Sequence, residues 1–222
     1  MKNWTAILLI LILGACGRKS ELSVENASRE FCNCFNSQTT GTVDQRVSPC
    51  LQEIADKKNN EWNDSGFINK DSIKGKFSKF SLDVMLNMTR TCDNYFVAIN
   101  DLYDKGYSLD TTLLNRNAIK ELTSRIKTET NKDSVQSLLH NKIHKLIQAR
   151  QFDQALQGID SIKAMDNSDY GANLASAYIF NQTGLHDKAI DEIDKAIKIS
   201  GNESLKLYLE IAKRKRTLTK EE

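Results

Sequence analysis

The chain has 222 residues, a formal net charge of +2, and a nearly balanced set of 31 basic and 29 acidic side chains. Such a balance provides no broad basic field, so the composition argues against nucleic acid as a partner. Only one proline and ten glycines interrupt the sequence, and its long stretches with a period of 3.6 residues predict an all-α protein.

The chain begins with MKNWTAILLILILGAC, in which one lysine precedes an apolar run from Ala6 to Leu13. A run of this length is too short to span a bilayer and is typical of an export signal. It ends in Leu-Gly-Ala-Cys16, which resembles the lipobox of bacterial lipoproteins. The resemblance implies that residues 1–15 are a cleaved lipoprotein signal peptide and that Cys16 becomes an acylated, palmitate-carrying N-terminus. An ordinary signal peptide with a coincidental cysteine is the alternative.

A lipid anchor would set the location of the protein. Residues 16–23 are then a lipidated tether on the bacterial outer membrane, and the folded part faces the periplasm. Gly17 favours the outer membrane, because some lipoproteins that stay in the inner membrane carry an aspartate there. Two or more acyl chains make the anchor durable, since each buried methylene contributes about 0.8 kcal/mol.

Three amphipathic helices are predicted within residues 24–106. The first helix presents one apolar face, formed by Val24, Ala27, Phe31, Cys34 and Phe35. A loop over Ser37–Val47 follows, and Ser48-Pro49 predicts a second helix with serine as N-cap and proline in the first helical position. Asp71 can cap a third helix that extends to Gly106 and carries the stripe Ile73, Phe77, Phe80, Val84, Met88, Tyr95, Ile99 and Leu102. We therefore predict a three-helix bundle.

Four cysteines other than Cys16 lie in the first half of the chain: Cys32, Cys34, Cys50 and Cys92. An even number in an exported protein predicts two disulfides. Positions two apart point to opposite sides of a helix, so we expect Cys34 to bond with Cys50 and Cys32 with Cys92, among three possible pairings. A metal or redox site is the alternative for Cys-x-Cys, but no histidine precedes His140.

A connecting helix is predicted within residues 107–133. Asp110 or Thr111 can cap it, and one face carries Leu114, Ala118, Leu122 and Ile126. Asp133 can then cap the following helix.

Residues 136–203 repeat with a period of 34, as FDQALQGIDSI (152–162) and HDKAIDEIDKA (186–196) illustrate. The second copy resembles a tetratricopeptide repeat (TPR), with Ala177 at a helix crossing and Gly184 at the turn. The first copy has Ile143 and Arg150 at these positions. The resemblance implies a short TPR-like α-solenoid over residues 134–218, which ends in a helix capped by Ser204. The connecting helix is expected to substitute for a repeat at the other end.

Tetratricopeptide arrays hold peptides or partner proteins on their concave face. The resemblance therefore implies a partner groove lined by His140, His144, Gln148, Leu174, Tyr178, Asn181, Gln182 and Tyr208. Leu205 and Leu209 stand where cations would clamp a C-terminal carboxylate, which disfavours a receptor for C-terminal peptides.

The sequence contains no glycine-rich phosphate loop, no Gly-x-Ser-x-Gly and no credible cysteine–histidine pair, so we expect neither catalysis nor a cofactor. The basic run Lys213–Arg216 is interpreted as a solvated helix end, and contact with anionic lipid or polysaccharide is the alternative. The preferred hypothesis is an envelope lipoprotein that acts as a protein–protein interaction adaptor. The alternative is a metal-binding or thiol-redox lipoprotein that uses Cys32 and Cys34 or the pair His140 and His144, although the histidine pair has no third ligand nearby in sequence.

Overall fold

The structure is a computed structural model that describes residues 22–64 and 70–221. The predicted signal, Cys16 and most of the tether lie outside the described residues. Within these two ranges the secondary structure is helical, without strands. The helices are α1 (Val24–Ser37), α2 (Val43–Asp64), α3 (Lys70–Thr91), α4 (Asp93–Asp104), α5 (Leu113–Thr128), α6 (Lys132–Gln148), α7 (Phe152–Met165), α8 (Tyr170–Gln182), α9 (His186–Ser200) and α10 (Lys206–Glu221), with a 3₁₀ turn over Glu203–Leu205. None of these helices has both the length and the hydropathy to cross a membrane.

Two disulfides link the N-terminal helices, and both confirm the predicted pairing. Cys34 of α1 bonds with Cys50 of α2, and Cys32 of α1 bonds with Cys92, with Cα–Cα distances of 5.7 and 5.9 Å. Around them lies an apolar core formed by Ala27, Phe31, Phe35, Ile54, Val84, Met88, Tyr95, Phe96 and Ile99. The expected apolar faces of the first and third helices therefore meet in one core.

The predicted third helix is wrong in its continuity, because it breaks at Cys92 into α3 and α4. Cys92 has an extended backbone (φ −116°, ψ 103°) and precedes the first residue of α4 without providing a side-chain cap. Its sulfur is bonded to Cys32, so the break coincides with the covalent link between the helices. The N-terminal bundle thus has four helices, and α3 begins at Lys70 rather than after a cap at Asp71.

The predicted start of α2 at Ser48-Pro49 is also wrong, since the helix begins at Val43. Thr42 and Gln45 form a reciprocal cap: the Gln45 amide donates to Thr42 Oγ1 (3.3 Å), and the Thr42 amide donates to Gln45 Oε1 (2.9 Å). This capping box stabilises a helix start upstream of Pro49, which then lies inside the helix.

Three further predicted caps are displaced by one or two residues. Thr112, not Asp110 or Thr111, caps α5. Asn131, not Asp133, caps α6. Ser204, the expected cap of the last helix, lies inside the 3₁₀ turn that precedes it, and Asn202 caps that turn. In each case the side-chain oxygen of the observed cap accepts a backbone N–H two or three residues onward. Asp110 accepts the Thr112 amide (3.1 Å), so its carboxylate orders the residue that caps α5.

The predicted buried face of the connecting helix is wrong at Leu114, which is 80% exposed. Asn115 is buried instead, and its side-chain amide donates to the backbone oxygens of Asp110 (2.7 Å) and Lys145 (3.1 Å). These bonds satisfy the amide nitrogen of Asn115, while its Oδ1 is buried without a hydrogen-bond partner among the described residues. The buried positions Asn115 and Ile119 lie one residue onward from Leu114 and Ala118, so the packed face is rotated by about one position.

The chain from α6 to α9 forms two helical hairpins whose turns match at the 34-residue spacing. The Gln151 amide donates to Leu146 O (2.9 Å), and the Leu185 amide donates to Phe180 O (2.8 Å). Arg150 adopts a left-handed backbone (φ 57°), as Gly184 does in the other turn (φ 75°). The first turn is therefore as sharp as the second one although it lacks glycine.

In the first hairpin, a large residue lies where the two helices cross, and a glycine on the opposite helix makes room for it. Ile143 of α6 is buried where the second hairpin has Ala177. Gly158 of α7 faces it, and a Cβ on this glycine would lie 2.9 Å from Ile143 Cγ1. The absence of a side chain at Gly158 thus allows α6 and α7 to pack closely.

Helix α10 packs on both halves of the molecule. Ile211 belongs to the core of the N-terminal bundle, whereas Leu209 and Ala212 pack with Ala177, Ala189 and Ile193 of the second hairpin. All four cations of Lys213–Arg216 pair with carboxylates, and the expected solvated basic end is found only at Lys213 and Arg216, whose side chains are 42% and 39% exposed. The side chains of Arg214 and Lys215 are mostly buried, and they bind Asp93 and Asp104 of the N-terminal bundle.

Candidate binding site

A cavity of about 560 Å³ lies where the end of α4, the second hairpin and α10 meet. Its lining is mainly aliphatic and aromatic, and consists of Ile99, Leu102, Tyr103, Gly106, Tyr107, His144, Leu174, Ala177, Tyr178, Ile193, Leu207, Tyr208 and Ile211. Leu102 is 50% exposed and Tyr208 is 38% exposed, so part of the apolar lining is open to solvent. A cavity of this size and polarity can accept a small molecule or several apolar side chains.

Four tyrosines and one histidine form a connected aromatic wall. The ring of Tyr178 lies 4.5 Å from Tyr107 and 5.6 Å from Tyr103, measured between centroids. Tyr103 also contacts Tyr208 (5.5 Å), and Tyr107 contacts His144 (5.1 Å). The rings are tilted relative to one another, an arrangement in which aromatic pairs attract each other beyond the burial of their surface.

Hydrogen bonds fix the end of α4 against α8 and α10. The Tyr178 hydroxyl donates to the backbone oxygen of Asp104 (2.8 Å). The Asp104 carboxylate accepts from Gln182 Nε2 (2.7 Å) and from Lys215 Nζ (2.6 Å). Asn181 donates to the Tyr103 hydroxyl (3.1 Å), so the wall is held by polar contacts at its edge.

Three titratable groups of the cavity lining, Tyr103, Tyr107 and His144, are neutral. Burial raises the pKa of Tyr103 and of Tyr107, so both phenols keep their protons. Burial lowers the pKa of His144, and the ammonium of Lys145 lowers it further, so the imidazole is uncharged at pH 7. These three groups therefore present uncharged surface to a ligand.

The eight residues of the predicted partner groove do not form one open surface. His144, Leu174, Tyr178 and Tyr208 line the cavity, whereas Asn181 and Gln182 bind the end of α4. His140 lies elsewhere, with Nε2 2.6 Å from Asp169 Oδ2, and the Gln148 backbone oxygen accepts from the Asp110 amide (2.9 Å). The segment Tyr103–Tyr107 of the N-terminal bundle thus covers part of the face that the repeat pattern predicts as a groove.

Several lining residues come from outside the repeat and were not predicted as site residues. Ile99, Leu102, Tyr103 and Tyr107 come from the end of the N-terminal bundle, and Leu207 and Ile211 come from α10. The sequence contains one relevant signal, two tyrosines on either side of Gly106 where the helix was expected to end. Nothing in the local pattern indicates that these tyrosines would meet Tyr178.

The residues of the metal and thiol alternative have other partners. Cys32 and Cys34 are disulfide-bonded. His140 contacts Asp169: burial favours a higher pKa for this carboxyl, but hydrogen bonds from the Ala172 amide, Gln136 and His140 lower it. Across residues 22–64 and 70–221, no three histidine, cysteine, aspartate or glutamate side chains are grouped so that they could hold a metal ion.

Comparison of the chain with known protein families, with curated proteins and with solved structures finds no match.

Proposed function

We propose that this protein is an outer-membrane lipoprotein, anchored through Cys16, that binds a partner protein of the cell envelope at the cavity beside its TPR-like hairpins. The observation that carries this proposal is the cavity of about 560 Å³, whose apolar wall is partly exposed at Leu102 and Tyr208. Tyrosine-rich, partly exposed apolar surface is typical of protein interfaces. The equivalent turns at Arg150 and Gly184 support the TPR-like interpretation of residues 134–203.

The described chain begins close to the proposed anchor. The Leu22 amide donates to Glu61 Oε2 (3.0 Å), and its carbonyl accepts from Lys58 Nζ (3.1 Å). Only a few residues separate Cys16 from Leu22, and six residues span at most about 20 Å when extended. An acylated Cys16 would therefore hold the N-terminal bundle close to the membrane surface, where an adaptor could meet other envelope proteins.

The anchor is tested by metabolic labelling with an alkynyl palmitate in the native bacterium. The wild-type chain should incorporate the label and fractionate with the outer membrane, and Cys16→Ser should do neither. A mature protein whose intact mass shows an unmodified N-terminus contradicts the anchor.

The binding site is tested by photo-crosslinking in the native envelope, with two surface substitutions on the same helix. Leu102→Asn places an amide at the cavity mouth and should abolish a specific crosslinked partner. Val97→Asn is the control, because Val97 is 63% exposed on α4 but does not line the cavity. If Leu102→Asn and Val97→Asn retain the same partners as the wild type, the cavity is not the partner site.

A further inference from the structure

Arg150 stands beside the cavity in a backbone conformation that disfavours most L-residues. Its φ is 57°, and the equivalent position in the second hairpin is Gly184. Glycine adopts this conformation without a Cβ clash, so arginine is the less stable choice at the turn. Residues with a strained backbone are concentrated at functional sites, where the side chain has a role that offsets the strain.

The side chain of Arg150 reaches the residues of the cavity edge. Its Nη1 donates to the Tyr178 hydroxyl (3.3 Å) and to Gln182 Oε1 (3.2 Å). Both acceptors are neutral, and no carboxylate in the described part of the chain pairs with this guanidinium. Lys215 and Arg216, by contrast, are each paired with an aspartate.

The charge that this site can accept is negative. A guanidinium has five N–H donors in a planar array and binds a carboxylate through two parallel hydrogen bonds. Asp104, which is hydrogen-bonded to the wall, is already paired with Lys215 and also accepts from Gln182. An anion at Arg150 would lie next to the Tyr178 hydroxyl, while an apolar group attached to it could enter the cavity.

We propose that the partner segment is acidic and apolar: one large apolar side chain fills the cavity, and a carboxylate next to it binds Arg150. This inference rests on the proposed function and specifies the chemistry of the partner. The proposal commits to a peptide because tyrosine and arginine are the residues that dominate binding energy at protein interfaces, and both border this cavity.

Two dyes that differ by one charge test the site in the full-length chain. Anilinonaphthalene sulfonate combines an apolar ring system with an anion, and phenylnaphthylamine is the same scaffold without the sulfonate. Arg150→Gly should lower the affinity for the sulfonate dye about tenfold, since a charge-assisted hydrogen bond contributes on that order. The affinity for the neutral dye should not change. Arg150→Lys retains the charge and should lose much less affinity. Equal affinity of the sulfonate dye for wild type and Arg150→Gly overturns the proposal.

The melting temperature of Arg150→Gly shows whether this variant is still folded. Glycine suits the φ of 57° at this turn, so Arg150→Gly should melt at or above the temperature of the wild type even though it loses two hydrogen bonds. A folded variant with weaker binding of only the anionic dye separates charge recognition from a structural role.

Competition distinguishes a peptide from a lipid carboxylate. The blocked peptide acetyl-Ala-Trp-Asp-Ala-amide should displace the sulfonate dye at millimolar concentration, and its Asn analogue should be several-fold weaker. Displacement by dodecanoate but by neither peptide overturns the assignment to a peptide.

Crosslinking separates failure of this inference from failure of the proposed function. A partner that is lost with Leu102→Asn but retained by Arg150→Gly leaves the adaptor function intact and overturns the acidic partner. Retention of the partner by both variants removes the cavity as the partner site altogether.

Discussion

The N-terminal bundle and the two C-terminal hairpins are both helical, but different interactions hold them together. The bundle contains both disulfides and a core of large aromatic side chains around Tyr95. The hairpins contain no cysteine and are packed through small buried residues such as Ala155, Ala177 and Ala189. A bundle held by disulfides can contain irregular or broken helices. Helices whose backbones pack closely need small residues at regularly spaced positions along the sequence.

The largest expected loss of stability comes from removing the disulfides of the N-terminal bundle. Replacing Cys32 and Cys92 with alanine removes a link that closes 60 residues, and replacing Cys34 and Cys50 removes one that closes 16 residues. Loop-closure entropy predicts losses of about 4 and about 3 kcal/mol, respectively. Urea unfolding should therefore rank the two double variants in this order, and the reverse order would show that strain or residual structure decides instead.

The next effect tests close packing in the hairpins. Gly158→Ala should lower the unfolding free energy by about 1–3 kcal/mol, because its Cβ would meet Ile143 Cγ1 at 2.9 Å. Gly75→Ala on α3 is the control: nothing lies within 4 Å of its Cβ position, and the helix should gain about 0.5–1 kcal/mol. In an Ile143→Ala background the penalty at Gly158 should disappear. If Gly158→Ala still lowers the unfolding free energy in the Ile143→Ala background, the clash is not with Ile143.

A smaller effect concerns the junction between the two regions. Tyr178→Phe removes the hydroxyl that donates to Asp104 O and should lower the unfolding free energy by about 1 kcal/mol, since that partly buried carbonyl loses its partner. Tyr170→Phe on the same helix is the control, because Tyr170 is 46% exposed. Chemical denaturation measures both, and equal stability of the two variants would show that the junction depends on apolar contact alone.

The smallest effect is pH dependence at the same junction. Burial lowers the pKa of His186, and Lys215 lowers it further, while the imidazole Nδ1 lies 3.1 Å from Asn181 Oδ1. A group whose pKa is lower in the folded state is protonated more easily on unfolding. Its contribution is therefore complete above the ordinary pKa of about 6.5 and is lost as the pH falls below that value. Unfolding free energies at pH 7.5 and pH 5.5 should differ less for His186→Gln than for the wild type. An unchanged difference would assign the pH response to other groups.

Local patterns predicted helices better than their ends. The 3.6-residue period located the amphipathic segments, but the caps at Thr42, Thr112 and Asn131 were missed. Several polar residues in a row can each cap a helix, and only the hydrogen bond that forms distinguishes them. Thr42 and Gln45 have the spacing of a capping box, but Ser48-Pro49, six residues after Thr42, is also a typical helix start, and local sequence does not choose between them.

The candidate site was predictable only in part. His144, Leu174, Tyr178 and Tyr208 were predicted, because the resemblance to tetratricopeptide repeats assigns these positions to one shared face. Tyr103 and Tyr107 did not follow from it. Their contacts with Tyr178 and Asn181 join residues more than 70 positions apart, as the Tyr178–Asp104 and Asn181–Tyr103 hydrogen bonds show.

The sequence by itself determined that the described chain is helical, that its N-terminal helices are cross-linked through Cys32, Cys34, Cys50 and Cys92, and that two hairpins recur at a 34-residue spacing. The helices and hairpins depend on the local periodicity of the sequence, and the disulfide pairing depends on the two-residue spacing of Cys32 and Cys34 on one helix. Only the tertiary structure decided that the end of α4 lies against α8, that α10 joins both halves, and that a cavity remains between them. The reason is physical: docking of two amphipathic units depends on how their surfaces fit, and no short stretch of sequence encodes that fit.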